Sequence, residues 1–162
     1  MVKNCDSALL ARIEQYDVAH QSPMNRGLHF IGIPLLTISI AGGLSRLSCN
    51  WPVGFSADAA WPVWIVLTIW SLFEDWRIAV APLIGILVCY AIGCQLPASV
   101  LSICLGGGAG CLLLGHLVFE RSAPQFLSHP FSVFTAPAWL FVVWLGRPRL
   151  RSGIESASHV AP

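Results

Sequence analysis

Forty-two consecutive residues, 78 to 119, lie between Arg77 and Glu120 without a single formal charge. As one helix they would reach about 63 Å at 1.5 Å per residue, roughly two crossings of a 30 Å hydrocarbon core. A water-soluble fold of this length has nowhere to hide such a run. Only 10% of the 162 residues are charged and 56% are hydrophobic, whereas soluble domains carry about 25% charged residues. The expected fold class is therefore all-α, a polytopic helical bundle in a lipid bilayer.

The polar break QLPAS (95 to 99) divides the uncharged run into two spans. Upstream, residues 27 to 45 are uncharged and mostly apolar, and AAWPVWIVLTIWSLF (59 to 73) is a shorter segment rich in interfacial tryptophan. This makes four expected crossings, with residues 46 to 58 as a loop. The segment FSVFTAPAWLFVVWLG (131 to 146) has an internal proline and too few residues to span comfortably, so it is expected to be re-entrant or interfacial.

Positive charge orients the bundle. With a cytoplasmic amino terminus and four crossings, Lys3, Arg12, Arg26, Arg77, Arg121, Arg147, Arg149 and Arg151 fall on the cytoplasmic side and Arg46 alone on the other. That bias is what the positive-inside rule demands, and it puts both termini in the cytoplasm of a bacterial cell or on the cytoplasmic face of the endoplasmic reticulum. Residues 1 to 26 contain no continuous apolar stretch of the signal-peptide kind. Residues 6 to 20 space Leu9, Leu10, Ile13 and Tyr16 as an amphipathic helix, either lying on the membrane face or packed on the bundle. Residues 1 to 146 read as one membrane-embedded domain and 147 to 162 as a basic, flexible tail.

Six cysteines at 5, 49, 89, 94, 104 and 111 show no metal-finger spacing and read as small packing residues. GGGAG (106 to 110) has no preceding strand and no following lysine, so close helix packing is expected there and not phosphate binding. A net charge of +1, without a basic or aromatic-interleaved face, gives no reason to expect nucleic acid. HExxH, GxSxG and the clustered histidine boxes of membrane di-iron enzymes are all absent.

What is unusual is the histidines. The topology brings His29, at the start of the first span, and His116, at the end of the fourth, to one membrane boundary. The turn-forming QSPMNRGL (21 to 28) lets His20 fold back over His29. Glu120 lies one helical turn after His116 on the same face. Three imidazoles and a carboxylate suit a divalent ion of the iron or zinc kind, since neutral imidazole is its usual ligand. A zinc-dependent lipid hydrolase with Glu120 as general base, or a purely structural polar cluster holding helices together, would use the same residues. His129 is a weaker ligand prospect, and His159 sits in the tail.

The stretch YDVAHQSPMNRGLHFIGIP (16 to 34) followed by GHLVFERSAP (115 to 124) resembles the paired signature of the small membrane-protein family that contains the fungal 2-hydroxy-palmitic acid dioxygenase. Tyr16, His20, Pro23, Asn25, His29 and Pro34 match its first half, and Gly115, His116, Phe119, Glu120 and Pro124 its second. The resemblance implies an iron(II)-dependent dioxygenase that uses O2 to convert a 2-hydroxy fatty acid to the acid one carbon shorter. His20, His29 and His116 would be the Fe2+ ligands, with Asn25, Glu120 and Tyr16 as catalytic partners. Leu112 and Phe119 would contact substrate. Leu112 stands where the family often has glutamine, and Gln21 replaces a histidine found in some members.

Overall fold

The computed structural model describes residues 8–50, 56–123 and 132–144. The tail, His129, His159, Pro124 and Cys5 lie outside them. Five helices, α1 (Ala8–Ala19), α2 (Pro23–Leu44), α3 (Ala60–Gln95), α4 (Ala98–Leu114) and α5 (Ser132–Trp144), follow one another, and α4 continues directly into a π-helical turn, Gly115–Glu120. The fold is all-α apart from one departure. The expected loop after the first span contains a short antiparallel pair, β1 (Ser48–Asn50) and β2 (Ser56–Asp58), with Cys49 opposite Ala57.

Helix α2 is the spine. Ser22 caps it in an extended conformation, its Oγ accepting the Asn25 N–H at 3.4 Å, and Pro23 occupies the first helical position, where its missing N–H costs nothing. Two close crossings hold α2 to its neighbours. A β-carbon added to Gly32 would come 3.0 Å from the Gly108 carbonyl of α4, and one added to Gly42 would come 2.7 Å from the Gly93 carbonyl of α3. Only small residues let helix backbones approach that closely. Of the GGGAG stretch, Gly108 alone serves this purpose; Gly106, Gly107 and Gly110 have nothing within 4 Å of such a carbon.

Helix α3 covers residues 60 to 95 but cannot be one straight rod. Trp61 and Tyr90 would stand about 43 Å apart on a straight helix, 29 residues at 1.5 Å each. Their ring centroids are 6.2 Å apart. The chain of α3 therefore reverses between Trp61 and Tyr90, and Ala60–Trp70 and Ala79–Gln95 form its two arms where the sequence predicts two separate spans. The expected break near residues 95 to 99 is present, with Leu96 and Pro97 between α3 and α4.

By length and composition, Pro23–Leu44 and Ala98–Glu120 are apolar enough to cross a membrane, and the α3 arms Ala60–Trp70 and Ala79–Gln95 are apolar but shorter. Large apolar side chains cover the outside: Ile103 is 71% exposed and Leu117 60%. Helix α5, 13 residues and so about 20 Å long, is too short to traverse a 30 Å core. It packs instead with α1, and the two contribute Ile13, Tyr16, Ala136, Ala138 and Trp139 to the core alongside Ile33 of α2. This favours the packed alternative for α1 over a helix free on the membrane face.

Candidate metal centre

Three elements converge at the start of α2. The chain leaving α1 delivers His20, the second turn of α2 delivers His29, and the π-turn delivers His116. All three are buried, and the nearest ring nitrogens of the set lie within 4.8 Å of one another. The rings pack edge to face, with centroids 4.5 to 5.0 Å apart.

Local structure fixes how two of the rings present themselves. His20 Nδ1 lies 2.6 Å from the Tyr16 carbonyl, and His29 Nδ1 lies 2.9 Å from the Asn25 carbonyl. A carbonyl only accepts, so both Nδ1 atoms must donate, and the tautomer inferred from this leaves each Nε2 with a lone pair. The two Nε2 atoms face each other at 3.2 Å. With both Nδ1 protons engaged, no proton is left to join them while the imidazoles are neutral. A cation between them removes that repulsion. Nitrogens about 2.1 Å from a tetrahedral or octahedral ion stand roughly 3.0 to 3.4 Å from each other, which matches the His20–His29 pair.

His116 turns its Nδ1 toward Glu120 Oε2 at 3.5 Å, an electrostatic contact longer than a hydrogen bond. The other Glu120 oxygen accepts the Ser22 N–H at 3.4 Å, tying the π-turn to the cap of α2. The motif GHLVFE and the π-turn are the same six residues. The sequence predicts an ordinary α-helical turn here; the structure has a wider one, closed by Arg121 in the left-handed region at φ 52°, and such turns recur at functional sites. Gly115 is required by crowding, since a β-carbon there would stand 2.0 Å from Asn25 Oδ1.

Asn25 is wholly buried, and neither its Oδ1 nor its Nδ2 has a hydrogen-bond partner. His116 Nδ1 and Glu120 Oε2 share that condition. Each unpaired buried polar atom costs about 1–3 kcal/mol. Two of the four, His116 Nδ1 and Glu120 Oε2, face each other at 3.5 Å, and the Asn25 carboxamide leaves room in the hydrogen-bond inventory for a polar ligand. The donor set, three neutral imidazoles beside a carboxylate, fits a borderline divalent cation of the iron or zinc kind.

Tyr16 stacks on His20 with ring centroids 4.0 Å apart and planes 12° from parallel. Burial, and secondarily the Glu120 carboxylate, push its phenol above the ordinary tyrosine range. Burial lowers the pKa of His20 below its ordinary value, outweighing the carbonyl bond from Tyr16. His20 is thereby kept neutral, the form that binds metal. Leu112, one turn before His116, lies in the α2–α4 seam against Gly32 and packs on the core. Phe119 is exposed on the surface of the π-turn and stands outside the buried cluster.

The sequence reading missed four contributors. Trp139 of α5 is completely buried, 5.4 Å from His20 and 6.2 Å from His29 by ring centroids, and roofs the cluster. Its indole N–H donates to Asp17 Oδ1 at 2.9 Å, and Asp17 also takes the Arg26 guanidinium at 2.6 Å. Arg26 Nε donates to the His20 carbonyl at 2.6 Å. Ser22, through its link to Glu120, is the fourth. A charged pair spaced nine residues apart across a predicted turn was the available signal for Asp17 and Arg26. Trp139 had none, because its place depends on how α5 folds back.

No curated protein and no solved structure matches the chain. Residues 8–148 match the family profile described as 2-hydroxy-palmitic acid dioxygenase Mpo1-like. Every helix described above and all three clustered histidines fall within that stretch, and the chain belongs to the Mpo1-like family.

Proposed function

We propose that the protein is an iron(II)-dependent dioxygenase that shortens 2-hydroxy fatty acids by one carbon at a membrane boundary. The observation that carries the reading is the pair of Nε2 lone pairs at 3.2 Å, fixed by carbonyl bonds at both Nδ1 atoms, with a third buried histidine beside them. Family membership supplies the substrate class. In balance, RCH(OH)COOH and O2 yield RCOOH, CO2 and H2O.

His20, His29 and His116 would hold the iron, the first two through the Nε2 atoms that their carbonyl bonds leave free. Bound iron(II) supplies the redox chemistry with O2 and a chelation point for the substrate's carboxylate and hydroxyl. Glu120 Oε2 compensates the positive charge and orients His116 through Nδ1, as carboxylates do behind metal-bound imidazoles. The Asn25 carboxamide, without hydrogen-bond partners, offers its Nδ2 hydrogens as donors and its Oδ1 as acceptor to the substrate head group. Tyr16 fixes the plane of His20, and Trp139 keeps water off the cluster. Leu112 contacts substrate from the helix seam and Phe119 from the exposed surface, where an acid leaves the bilayer.

The same reading takes both α3 arms, α2 and α4 as four crossings, with both termini cytoplasmic and α5 interfacial. Labelling of single cysteines placed at residues 47 and 122 by an impermeant thiol reagent tests it, in a background whose native cysteines are replaced. Residue 47 is expected to react only from the non-cytoplasmic side.

The test of function is metal content and oxygen uptake on detergent-purified protein given 2-hydroxyhexadecanoic acid, beside His116→Ala. Stoichiometric iron and uptake, both lost in a folded variant, are expected. Zinc with ester hydrolysis would instead favour the hydrolase reading. A folded wild type without metal or uptake would defeat both and leave a structural role.

A further inference from the structure

An apolar cavity of about 190 Å³ lies between α2, the two arms of α3 and α5. It shares a wall with the metal centre. Ala138 lines the cavity and also belongs to the core with Tyr16 and Trp139, and Trp70, another lining residue, packs against that core.

Helix α2 connects the two spaces. His29, Ile33, Thr37 and Ala41 follow at four-residue intervals and so succeed one another along one side of the helix. The first belongs to the histidine cluster, the second to the core beside Trp139, and the last two to the cavity wall. At 1.5 Å per residue, Thr37 lies about 12 Å and Leu44 about 22 Å along the axis from His29. The cavity therefore begins well beyond the reach of a head group at the histidines.

The cavity also opens sideways. Ile40, Trp61 and Val63 line it and are 52%, 41% and 43% exposed, on the apolar outer surface of the bundle.

We propose that this cavity receives the far part of the acyl chain of a long-chain 2-hydroxy acid whose head group sits at the histidines, so that the α2–α3–α5 space sets chain-length preference. The inference rests on the dioxygenase reading for the identity of the head group. Three observations favour this occupant. The cavity borders the core that covers the metal centre, with Ala138 and Trp70 common to both, so that repacking of these side chains alone separates the two spaces. The α2 wall of the cavity runs from about 12 Å to about 22 Å beyond His29, which a long extended chain enters and a short one does not reach. The opening faces the phase in which a long-chain acid dissolves. Each methylene moved from water to such a wall contributes about 0.8 kcal/mol, so a chain that reaches the cavity is distinguished from one that stops short of it.

The test uses the full chain in phosphatidylcholine nanodiscs, loaded with iron(II) under anaerobic conditions. Two photoreactive 2-hydroxyhexadecanoic acids are compared, one with a diazirine at the terminal carbon and one with it near the head. Peptide mapping should place the terminal probe on Thr37–Leu44 and Ala79–Tyr90 and the other on residues around Ile33 and Leu112. Ala41→Phe, which fills the cavity without touching the histidines, should cut terminal-probe labelling about tenfold and shift turnover from 2-hydroxyhexadecanoic to 2-hydroxydecanoic acid by a similar factor, with iron content unchanged.

Labelling confined to outward residues such as Ile103, Leu113 and Leu117, with iron and oxygen uptake intact, overturns the cavity assignment alone. Cavity labelling without iron or oxygen uptake overturns the dioxygenase reading alone. Because the wild-type labelling pattern decides the first question, misfolding of Ala41→Phe would not shield the proposal.

Discussion

The two ends of the bundle both carry polar side chains among apolar helices, and they treat them differently. At the end where α2 meets the β-hairpin, Tyr90 donates to Asp58 Oδ2 at 2.6 Å, the second Asp58 oxygen accepts the Ala60 N–H at 3.0 Å, and Arg46 donates to the carbonyls of Gly42 and Leu96. These bonds close helix ends and anchor the hairpin. At the histidine end, Asn25, His116 and Glu120 leave four buried polar atoms without hydrogen-bond partners, out of five such atoms among the described residues. The fifth is the Trp64 indole nitrogen. Stability alone explains the first arrangement; the second is destabilising unless a ligand completes it.

Substitutions should therefore separate the two ends by what they change. His29→Ala is expected to have the largest effect, loss of stoichiometric metal and a fall of about 100-fold or more in oxygen uptake, read by elemental analysis and an oxygen electrode. Full metal retention in that variant would erase the distinction between the ends. Glu120→Gln keeps the shape but removes the charge behind His116, and should weaken metal binding by roughly 10- to 100-fold in a competitive chelator titration.

Gly115→Ala drives a methyl group into Asn25 and should cost about 1–3 kcal/mol in chemical denaturation together with some loss of metal affinity. Gly107→Ala, with open space around it, should be neutral or stabilising by up to about 1 kcal/mol. Tyr90→Phe should cost about 1 kcal/mol of stability and leave metal binding unchanged, because it touches only the paired end.

The smallest effect is expected from pH. Unfolded His20 takes up a proton below about pH 6.5, while the buried imidazole resists protonation. Its contribution to the stability of the metal-free protein is present above that pH and declines as pH falls below it. Thermal unfolding of the metal-free form between pH 7.5 and 5.5 should show the decline, and His20→Gln should flatten it.

The histidine cluster was legible in the sequence because charge placement and hydropathy order the helices, and order alone carries His29 and His116 to one end. The turn-rich residues between His20 and His29 supplied the rest. The two arms of α3 were readable as two apolar segments, but their close approach was not, since local hydropathy carries no information on which segments pack together. Trp139 was invisible for a related reason. Local periodicity cannot tell which residue of a short apolar helix will roof a site built by three others. The π-turn was also out of reach, because GHLVFE carries no composition that distinguishes it from an α-helical turn.

That turn has a consequence for how such a site arises. In a regular α-helix, one residue more or less rotates everything beyond it by about 100°. The π-turn, late in the fourth apolar segment, is wider than an α-helical turn just where His116 and Glu120 both approach the start of α2. Deleting Leu117 or Val118 would restore a shorter helix and aim Glu120 elsewhere, leaving the composition and hydropathy of the segment nearly as they were. In this scaffold the placement of a carboxylate beside His116 is a discrete property of helix phase, changed by a single insertion or deletion and hardly visible to any measure of residue similarity.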